Sequence, residues 1–315
     1  MANIGRDLLR AKELLKNSEI VAIPTETVYG LAGNALDREA ILNIYKTKNR
    51  PAFDPLIVHV ASFERLSEIA HIESKILEEI GMAFWPGPLT MLLPKKGHLP
   101  DIVTSGLPSV AVRVPNHPLT LQLLNYLEFP LAAPSANPFG YVSPTTVEHV
   151  NQQLGQKIPY ILDGGPAEVG LESTIISIED EKIIVHRLGG LKLEALQKFG
   201  PVTAVLNQSS NPTAPGMLKS HYSPGKKMII GDLEKLVEQY RDKKVGVISF
   251  SKTYDQAHSM AVLSPEGNIE MAARNLFSAF RKMDDPTIEI VLAEFVPEEG
   301  LGRAINDRLK RAAAG

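Results

Sequence analysis

The chain has 315 residues, a length that favours about two domains, each able to bury its own core. Its 33 basic and 36 acidic residues leave a net charge of −3, and neither half of the chain is strongly basic, so the composition argues against a protein that binds nucleic acid through bulk charge. The absence of cysteine excludes thiol nucleophiles, disulfides and cysteine-ligated zinc.

The N-terminal residues form an amphipathic pattern of mixed charge and lack the apolar core of a secretory signal. No apolar stretch reaches the length that is needed to span a bilayer. We therefore expect a soluble cytoplasmic protein with no membrane partner and little direct binding of nucleic acid.

The first part of the chain mixes helical and strand patterns in the manner of an α/β domain. Helices are predicted over 6–16 and from start signals at Asp37, Ser62, Glu73, Asn116 and Ser143-Pro144. Strands are predicted at 19–23, 56–60, 89–93, 109–114 and 131–134, with a hairpin at 174–178 and 183–188. The first domain should therefore combine parallel and antiparallel strands.

The composition changes after the hairpin. Residues 207–225 are rich in Ser, Pro, Asn and Gly, which is typical of a linker. Strands are then predicted at 228–230, 245–250 and 288–295, and helices near 232–241, 266–282 and 302–313. This alternation predicts a small parallel α/β domain of Rossmann-like type. The expected organisation is a first domain at 1–206, a linker at 207–225 and a second domain at 226–315.

Familiar glycine-rich phosphate loops and metalloprotease motifs are absent, but two polar segments stand out. The segment Pro24–Leu31 follows a buried strand and begins with hydroxyls and a carboxylate. Open α/β sheets bind ligands at this end of a strand, so the segment could contribute to a binding site, or it could be an ordinary turn. Lys48 and Arg50 follow a helix and could grip a polyphosphate, or could form a solvated helix cap.

Three further positions have both a structural and a functional interpretation. His59 lies in an apolar strand, where a core role is the simpler explanation. Arg113 lies in a valine-rich strand, and if it is buried its charge needs a carboxylate partner. That carboxylate could belong to a ligand or to an internal Asp or Glu. The segment Ser135-Ala-Asn137 offers short polar groups to phosphate oxygens, and Ser143-Pro144 offers a helix N-terminus or a simple cap.

The ordered segments PTETVYGL, KNRP, DPLIVHV, WPGPLT, SGLPSVAVRVPNHP, APSANPFGYVSPT, STI and HRLG resemble the YrdC-like family of threonylcarbamoyl-adenylate synthases over about residues 5–205. The linker and the tail resemble the longer, two-domain branch. The resemblance implies a twisted open mixed sheet around a positive cavity. It also implies that L-threonine, bicarbonate or carbon dioxide, and ATP are joined with loss of pyrophosphate, with Mg²⁺ assisting. A downstream transferase would then modify tRNA.

The family's functional positions are matched residue by residue. The resemblance implies catalytic roles for Lys48, Arg50, Ser135 and Asn137. It implies ATP contacts from Arg50, Asp54, Ser109, Ser135, Ser143, Arg187 and Tyr222. It implies threonine contacts from Thr27, His59, Arg113, Ala133 and Ser173. It gives no metal ligands.

Two positions depart from the family pattern. Asn49 stands where the family usually has glycine, and asparagine tolerates the positive φ that such a turn requires. Asp54 stands where the family usually has asparagine, and a carboxylate repels phosphate unless a metal or water lies between them. The linker is expected to close over the site as a lid, with Tyr222 on the nucleotide.

Two other functions remain open at this point. One is an RNA-binding maturation factor without catalysis, and the other is a carbamoyl-transfer enzyme. Threonine-dependent release of pyrophosphate would distinguish the synthase from both.

Overall fold

The structure, a computed structural model, describes residues 1–205 and 225–314, which form two compact units. The first comprises Met1–Phe139, Pro144–Glu168 and the chain from Glu172 to the end of the first described range. The second comprises Gly140–Ser143, Val169–Leu171 and the second described range. The predicted lid and its Tyr222 lie outside the described residues, so the lid and the domain boundaries at 206 and 225 stay predictions.

The first unit is built on one large sheet. Its strands are β1 (Asn3–Gly5), β2 (Val21–Ile23), β3 (Gly30–Asn34), β4 (Ile57–His59), β5 (Leu89–Pro94), β6 (Ser109–Arg113), β7 (Leu131–Ala132), β8 (Tyr160–Leu162), β9 (Thr174–Glu179), β10 (Lys182–Arg187) and β11 (Val202–Ala204). They lie in the order β1-β8-β2-β3-β7-β4-β6-β5-β9-β10-β11. Pairing is parallel between β4 and β6 and antiparallel between β9 and β10, which confirms the predicted mixed sheet and hairpin.

Helices follow the strands of this sheet. They are α1 (Leu8–Lys16), α2 (Arg38–Lys48), α3 (Lys75–Phe84), α4 (Pro118–Tyr126), α5 (Val147–Leu154) and α6 (Leu193–Leu196), with 3₁₀ turns at Glu64–Glu68 and Asp101–Thr104. Asp37 caps α2 as predicted, because its side chain accepts the Glu39 N–H at 2.8 Å. At the other end of α2, Asn49 adopts φ 52°, which confirms the positive φ that the sequence predicts at this turn.

The helix predicted at Ser143-Pro144 begins later, so that start signal was wrong. The Thr146 side chain caps α5, and the helix starts at Val147. The backbone carbonyls just before this helix form hydrogen bonds with distant parts of the chain. The Pro144 carbonyl accepts the Tyr29 N–H, and the Thr145 carbonyl accepts the Ala167 N–H, both at 2.8 Å. A carbonyl committed to a distant strand or loop cannot begin a helix, so the tertiary contacts override the local signal.

Three other predicted helix starts are shifted. The helix near Glu73 is capped by Ser74, and the segment after Ser62 is a 3₁₀ turn. The helix predicted from Asn116 begins at Pro118, since the Asn116 N–H donates to the Glu26 carboxylate at 3.0 Å. A better cap at Ser74 and a tertiary partner for Asn116 explain two of these differences; the 3₁₀ turn after Ser62 has no side-chain cap.

The second unit has a parallel sheet, as predicted. Its strands are β12 (Met228–Ile230), β13 (Val245–Ser249), β14 (Ser259–Val262) and β15 (Ile290–Ala293), in the order β12-β15-β13-β14. Its helices are α7 (Leu233–Gln239), α8 (Ile269–Lys282) and α9 (Gly302–Ala313). The strand β14 was not predicted from the sequence, and all four of its residues are only half-buried. Within the described residues, no helix is long and apolar enough to cross a membrane.

We expect Leu15→Ala to destabilise the first unit by about 2–5 kcal/mol, because Leu15 is fully buried in the cluster between α1, β2 and α4. The only tryptophan, Trp85, is buried in this unit, so urea unfolding followed by its fluorescence reports on that unit. The matched control is Leu9→Ala on the exposed side of α1, which should change the unfolding free energy by less than about 0.5 kcal/mol. Equal effects of the two substitutions would contradict this packing.

Candidate active site

The register of the central strands brings several predicted site residues to one face of the first sheet. Parallel pairing sets Ile57 beside Ala111 and His59 beside Arg113, so these side chains share a face. Ile175 packs with Ile57 and Ala111 in a small apolar cluster on this face. Three more predicted positions lie next to this cluster. The Ala133 N–H donates to the Ile57 carbonyl at 2.9 Å, and Arg187 pairs with Ile175 across the hairpin. Ser173 stands two residues before Ile175.

Lys48 is buried rather than solvated, which excludes the simple helix cap. Its side-chain Nζ donates to the backbone carbonyls of Ser135 and Asn137, both at 2.5 Å, and its own carbonyl accepts the Phe139 N–H at 2.8 Å. Burial, reinforced by the charge of Arg50, holds the pKa of Lys48 well below its usual range. Lys48 therefore fixes the turn that carries Ser135 and Asn137 against the end of α2.

Arg50 and Asp54 form a buried ion pair. Arg50 Nη2 lies 2.9 Å from Asp54 Oδ2, and the same guanidinium donates to the backbone carbonyls of Asp54 at 3.0 Å and Pro55 at 2.8 Å. The Arg50 guanidinium also lies 6.0 Å from the centre of the Phe139 ring. The carboxylate that departs from the family pattern thus serves as a counter-ion for the predicted phosphate-binding arginine.

Arg113 is 4% exposed and has an internal carboxylate partner, one of the two alternatives that the sequence left open. Its Nη2 lies 2.6 Å from Glu26 Oε1, its Nη1 donates to Thr27 Oγ1 at 2.8 Å, and its Nε donates to the Gly87 carbonyl at 3.2 Å. Thr27 Oγ1 is in turn 2.8 Å from Thr25 Oγ1. The guanidinium is therefore held in a fixed plane beside the predicted threonine-binding hydroxyl.

His59 is a neutral, buried side chain at neutral pH. Burial, with the nearby charge of Arg113, lowers the pKa of His59 from 6.5 to about 3. Its Nδ1 lies 3.3 Å from the Ile57 carbonyl. A neutral imidazole can donate or accept one hydrogen bond without adding charge beside Arg113, which suits it to contact a hydroxyl.

A chain of hydrogen bonds connects Arg187 with Ser173. Arg187 donates from Nη2 to Ser173 Oγ at 2.9 Å and from Nε to the Ser173 carbonyl at 3.0 Å. Ser173 Oγ is also 2.7 Å from Thr90 Oγ1, a fully buried hydroxyl. A residue matched to ATP and a residue matched to threonine are thus in direct contact.

The remaining predicted positions are placed less closely with this group. Ser109 starts β6, on the same face as Ala111, and borders a groove with Ser177 and His186. Ser143 is fully buried, and the structure groups it with the second unit.

Two residues of the site, Glu26 and Thr90, were not assigned a role from the sequence. Glu26 stands inside the PTETVYGL motif, and the signal was present, because a carboxylate next to Thr27 is the internal partner that Arg113 requires. Thr90 is the only hydroxyl in an otherwise apolar strand, Leu89–Pro94, which is a weaker signal.

Two family models together match almost the whole chain. The model described as "Telomere recombination" matches residues 13–189, and the one described as "Threonylcarbamoyl-AMP synthase, C-terminal domain" matches residues 190–314. The threonylcarbamoyl-AMP synthase of Pyrococcus abyssi is 42% identical, with 96% of this chain and 93% of that protein covered. The chain belongs to the two-domain threonylcarbamoyl-AMP synthase family.

Other members support the same membership. The threonylcarbamoyl-AMP synthase of Bacillus subtilis is 37% identical and covers 98% of this chain and 93% of its own length. The crystal structure of the Pyrococcus abyssi Sua5 protein complexed with L-threonine aligns with a TM-score of 0.93 and 39% identity, over 99% of this chain and 97% of that chain. The predicted family and fold class are therefore confirmed, and the synthase is favoured over an RNA-binding or carbamoyl-transfer protein.

The depressed pKa of His59 predicts a specific dependence of stability on pH. The unfolded chain takes up a proton near pH 6.5, whereas the folded chain does so only near pH 3, so this contribution is complete above about pH 6.5 and is lost as pH falls. When the pH is lowered from about 7 to about 5, the unfolding free energy of the wild type should fall by about 2 kcal/mol more than that of His59→Gln. Urea unfolding followed by Trp85 fluorescence measures this difference. The exposed His98→Gln is the control, and an unchanged pH slope in His59→Gln would exclude the effect.

Proposed function

We propose that the chain condenses L-threonine, bicarbonate or carbon dioxide, and ATP into threonylcarbamoyl-adenylate, and releases pyrophosphate. The observation that carries this proposal is the set of buried cations, Lys48, Arg50 and Arg113, in a unit whose full-length relatives bear the name of this synthase. Mass spectrometry of the products formed from ATP, threonine and bicarbonate tests it directly. Formation of a product with carbamoyl phosphate but not with threonine plus bicarbonate would favour carbamoyl transfer instead.

The chemistry requires placement of charges rather than a protein nucleophile. The neutral amine of threonine adds to carbon dioxide and loses a proton, which gives an N-carboxylate. An oxygen of that carboxylate attacks the α-phosphorus of ATP, and the bond to the β,γ-pyrophosphate breaks. Catalysis then depends on holding the two substrates together and on stabilising the charge of the leaving group.

The phosphate half of the site is assigned to Lys48, Arg50 and Arg187, with Ser135 and Asn137 on the adjacent turn. Arg50 is anchored by two backbone carbonyls, so its position is fixed before ATP arrives. Lys48 uses two hydrogen bonds to shape the turn of Ser135 and Asn137, and this turn would present its polar groups to the phosphates. Cations that are already positioned stabilise developing phosphate charge at little cost of reorganisation.

The amino-acid half is assigned to Thr27, His59, Arg113, Ala133 and Ser173. Arg113 would take the carboxylate of threonine, because its guanidinium is fixed by Thr27 and Gly87. The neutral His59 on the next strand would contact the threonine hydroxyl. Ala133 is small, and its side chain leaves space on the same face. Ser173 joins this half to Arg187 through the 2.9 Å hydrogen bond.

Magnesium is assigned to the substrate rather than to a protein cage. Within the described ranges, no group of three or more acidic or histidine side chains could hold a metal ion. Mg²⁺ usually keeps several waters and binds through substrate phosphates with one or two carboxylates, and Asp54 is the carboxylate next to Arg50. The ion would neutralise phosphate charge, and Asp54 would hold it directly or through water.

The product would be passed to another protein. Threonylcarbamoyl-adenylate is a mixed anhydride that water hydrolyses, so a downstream transferase must accept it and modify tRNA. The predicted lid at 207–225, with Tyr222 on the nucleotide, would protect the anhydride from water. The predicted cytoplasmic location is consistent with a tRNA substrate for that transferase.

Lys48→Met and Arg50→Gln should each lower threonine-dependent pyrophosphate release at least about tenfold at saturating substrate, or on the order of 1.4 kcal/mol of transition-state stabilisation. Lys48→Met should also destabilise the first unit by about 1–3 kcal/mol, because two buried carbonyls lose their donor. Lys46→Ala, on the exposed side of the same helix, is the matched control and should retain activity. Wild-type turnover in either site variant would remove that residue from the mechanism.

Arg113→Lys should weaken threonine binding at least about tenfold and leave the binding of a non-hydrolysable ATP analogue within about twofold, because lysine lacks the planar fork that binds a carboxylate. Lysine keeps a positive charge next to Glu26, so the buried carboxylate stays paired and the fold is retained. Calorimetry with each ligand separately measures both affinities. Equal losses for both ligands would make Arg113 a purely structural residue.

A further inference from the structure

Glu26 is a buried carboxylate that the mechanism above leaves without a role. It is 4% exposed, and it lies directly between Thr25 and Thr27 after β2. One oxygen, Oε2, accepts the Asn116 N–H at 3.0 Å, which anchors the side chain. The other oxygen, Oε1, lies 2.6 Å from Arg113 Nη2. A buried carboxylate costs several kcal/mol of desolvation, and Arg113 is the ion-pair partner that Glu26 has among the described residues.

The contact between Glu26 and Arg113 is close but poorly aligned. Although Oε1 and Nη2 are at ion-pair distance, neither atom has a partner with hydrogen-bond geometry among the described residues. Both atoms are buried, so each carries hydrogen-bonding capacity that the protein does not use. An acceptor for Arg113 and a donor for Glu26 would complete both groups.

We propose that Glu26 and Arg113 together form a receptor for the two charges of an α-amino acid, in which Glu26 binds the ammonium group while Arg113 binds the carboxylate. This inference rests on the proposed function. The charges balance when threonine binds, because the protein supplies one negative and one positive group and the zwitterion supplies one of each. The bound ammonium group must then lose a proton before the amine can add to carbon dioxide. A carboxylate without an amine would instead place two negative groups on one guanidinium.

The spacing of the groups agrees with this assignment. Thr27 Oγ1 and Glu26 Oε1 both contact the guanidinium of Arg113, at 2.8 Å and 2.6 Å, on its two different terminal nitrogens. The amine and the carboxylate of an α-amino acid are attached to one carbon atom, so an amino acid whose carboxylate lies on Arg113 has its ammonium group within a few bond lengths. Glu26 then discriminates amino acids from simple hydroxy acids of the same size.

The test compares three ligands by calorimetry with the full-length protein: L-threonine, 3-hydroxybutanoate, which lacks the amino group, and L-threoninamide, which lacks the carboxylate. The wild type should bind both analogues at least about tenfold more weakly than threonine. Glu26→Gln should weaken threonine at least about tenfold and should bind 3-hydroxybutanoate at least as tightly as the wild type does. The variant therefore loses its preference for the amine.

Controls separate this role from a structural one. Glu78→Gln removes a carboxylate from the exposed side of α3 and should leave all three affinities unchanged. Binding of an ATP analogue and the Trp85 fluorescence verify that Glu26→Gln is folded. If that variant does not fold, Glu26→Asp keeps the charge but shortens the side chain, and it should weaken threonine without weakening 3-hydroxybutanoate.

The proposal is overturned if Glu26→Gln weakens threonine and 3-hydroxybutanoate by the same factor, because Glu26 would then only orient Arg113. It is also overturned if the wild type binds both ligands equally. Neither result affects the proposed function, which fails separately if the wild type releases no pyrophosphate with threonine.

Discussion

A buried lysine side chain makes the contact on which the rest of the candidate site depends. Lys48 reaches across 87 residues of chain to the carbonyl of Ser135, and it holds the carbonyl of Asn137 as well. A buried lysine amino group without acceptors would be costly, so the fold must bring these two carbonyls together. The turn that follows β7 is therefore tied to the end of α2, and the positions matched to phosphate binding become one structural unit.

The same constraint explains how the helix ends. α2 stops at Asn49, which adopts the left-handed conformation and redirects the chain immediately after Lys48. Arg50 can then turn back to the carbonyls of Asp54 and Pro55. Arg113 and Arg187 follow a similar rule, because each donates to a backbone carbonyl and to a hydroxyl. Such anchoring fixes the cations before any ligand binds, which is the property that electrostatic catalysis requires.

Much of the fold could be predicted from the sequence, because local patterns carry it. The helix capped by Asp37, the hairpin of β9 and β10 and the parallel second sheet all follow from spacing and capping residues. Two of the errors occurred where distant contacts decide the outcome. The Ser143-Pro144 signal failed because the following carbonyls bond to Tyr29 and Ala167. The motif made the Glu26 carboxylate visible in the sequence, but its pairing with Arg113 depends on the folded sheet, which brings two residues 87 positions apart into contact.

Each of two arginines in the candidate site has a buried carboxylate as its counter-ion. Arg50 is paired with Asp54 and Arg113 with Glu26, so neither guanidinium is left as an isolated buried charge when no substrate is present. This arrangement protects the fold, but each ligand must then share its arginine with a resident carboxylate. A zwitterion satisfies the pair at Arg113, because its ammonium group can neutralise Glu26. A triphosphate brings no positive charge of its own. At Arg50, under the proposed function, a metal ion bound to ATP would supply the cation that compensates Asp54, so nucleotide binding should depend on magnesium.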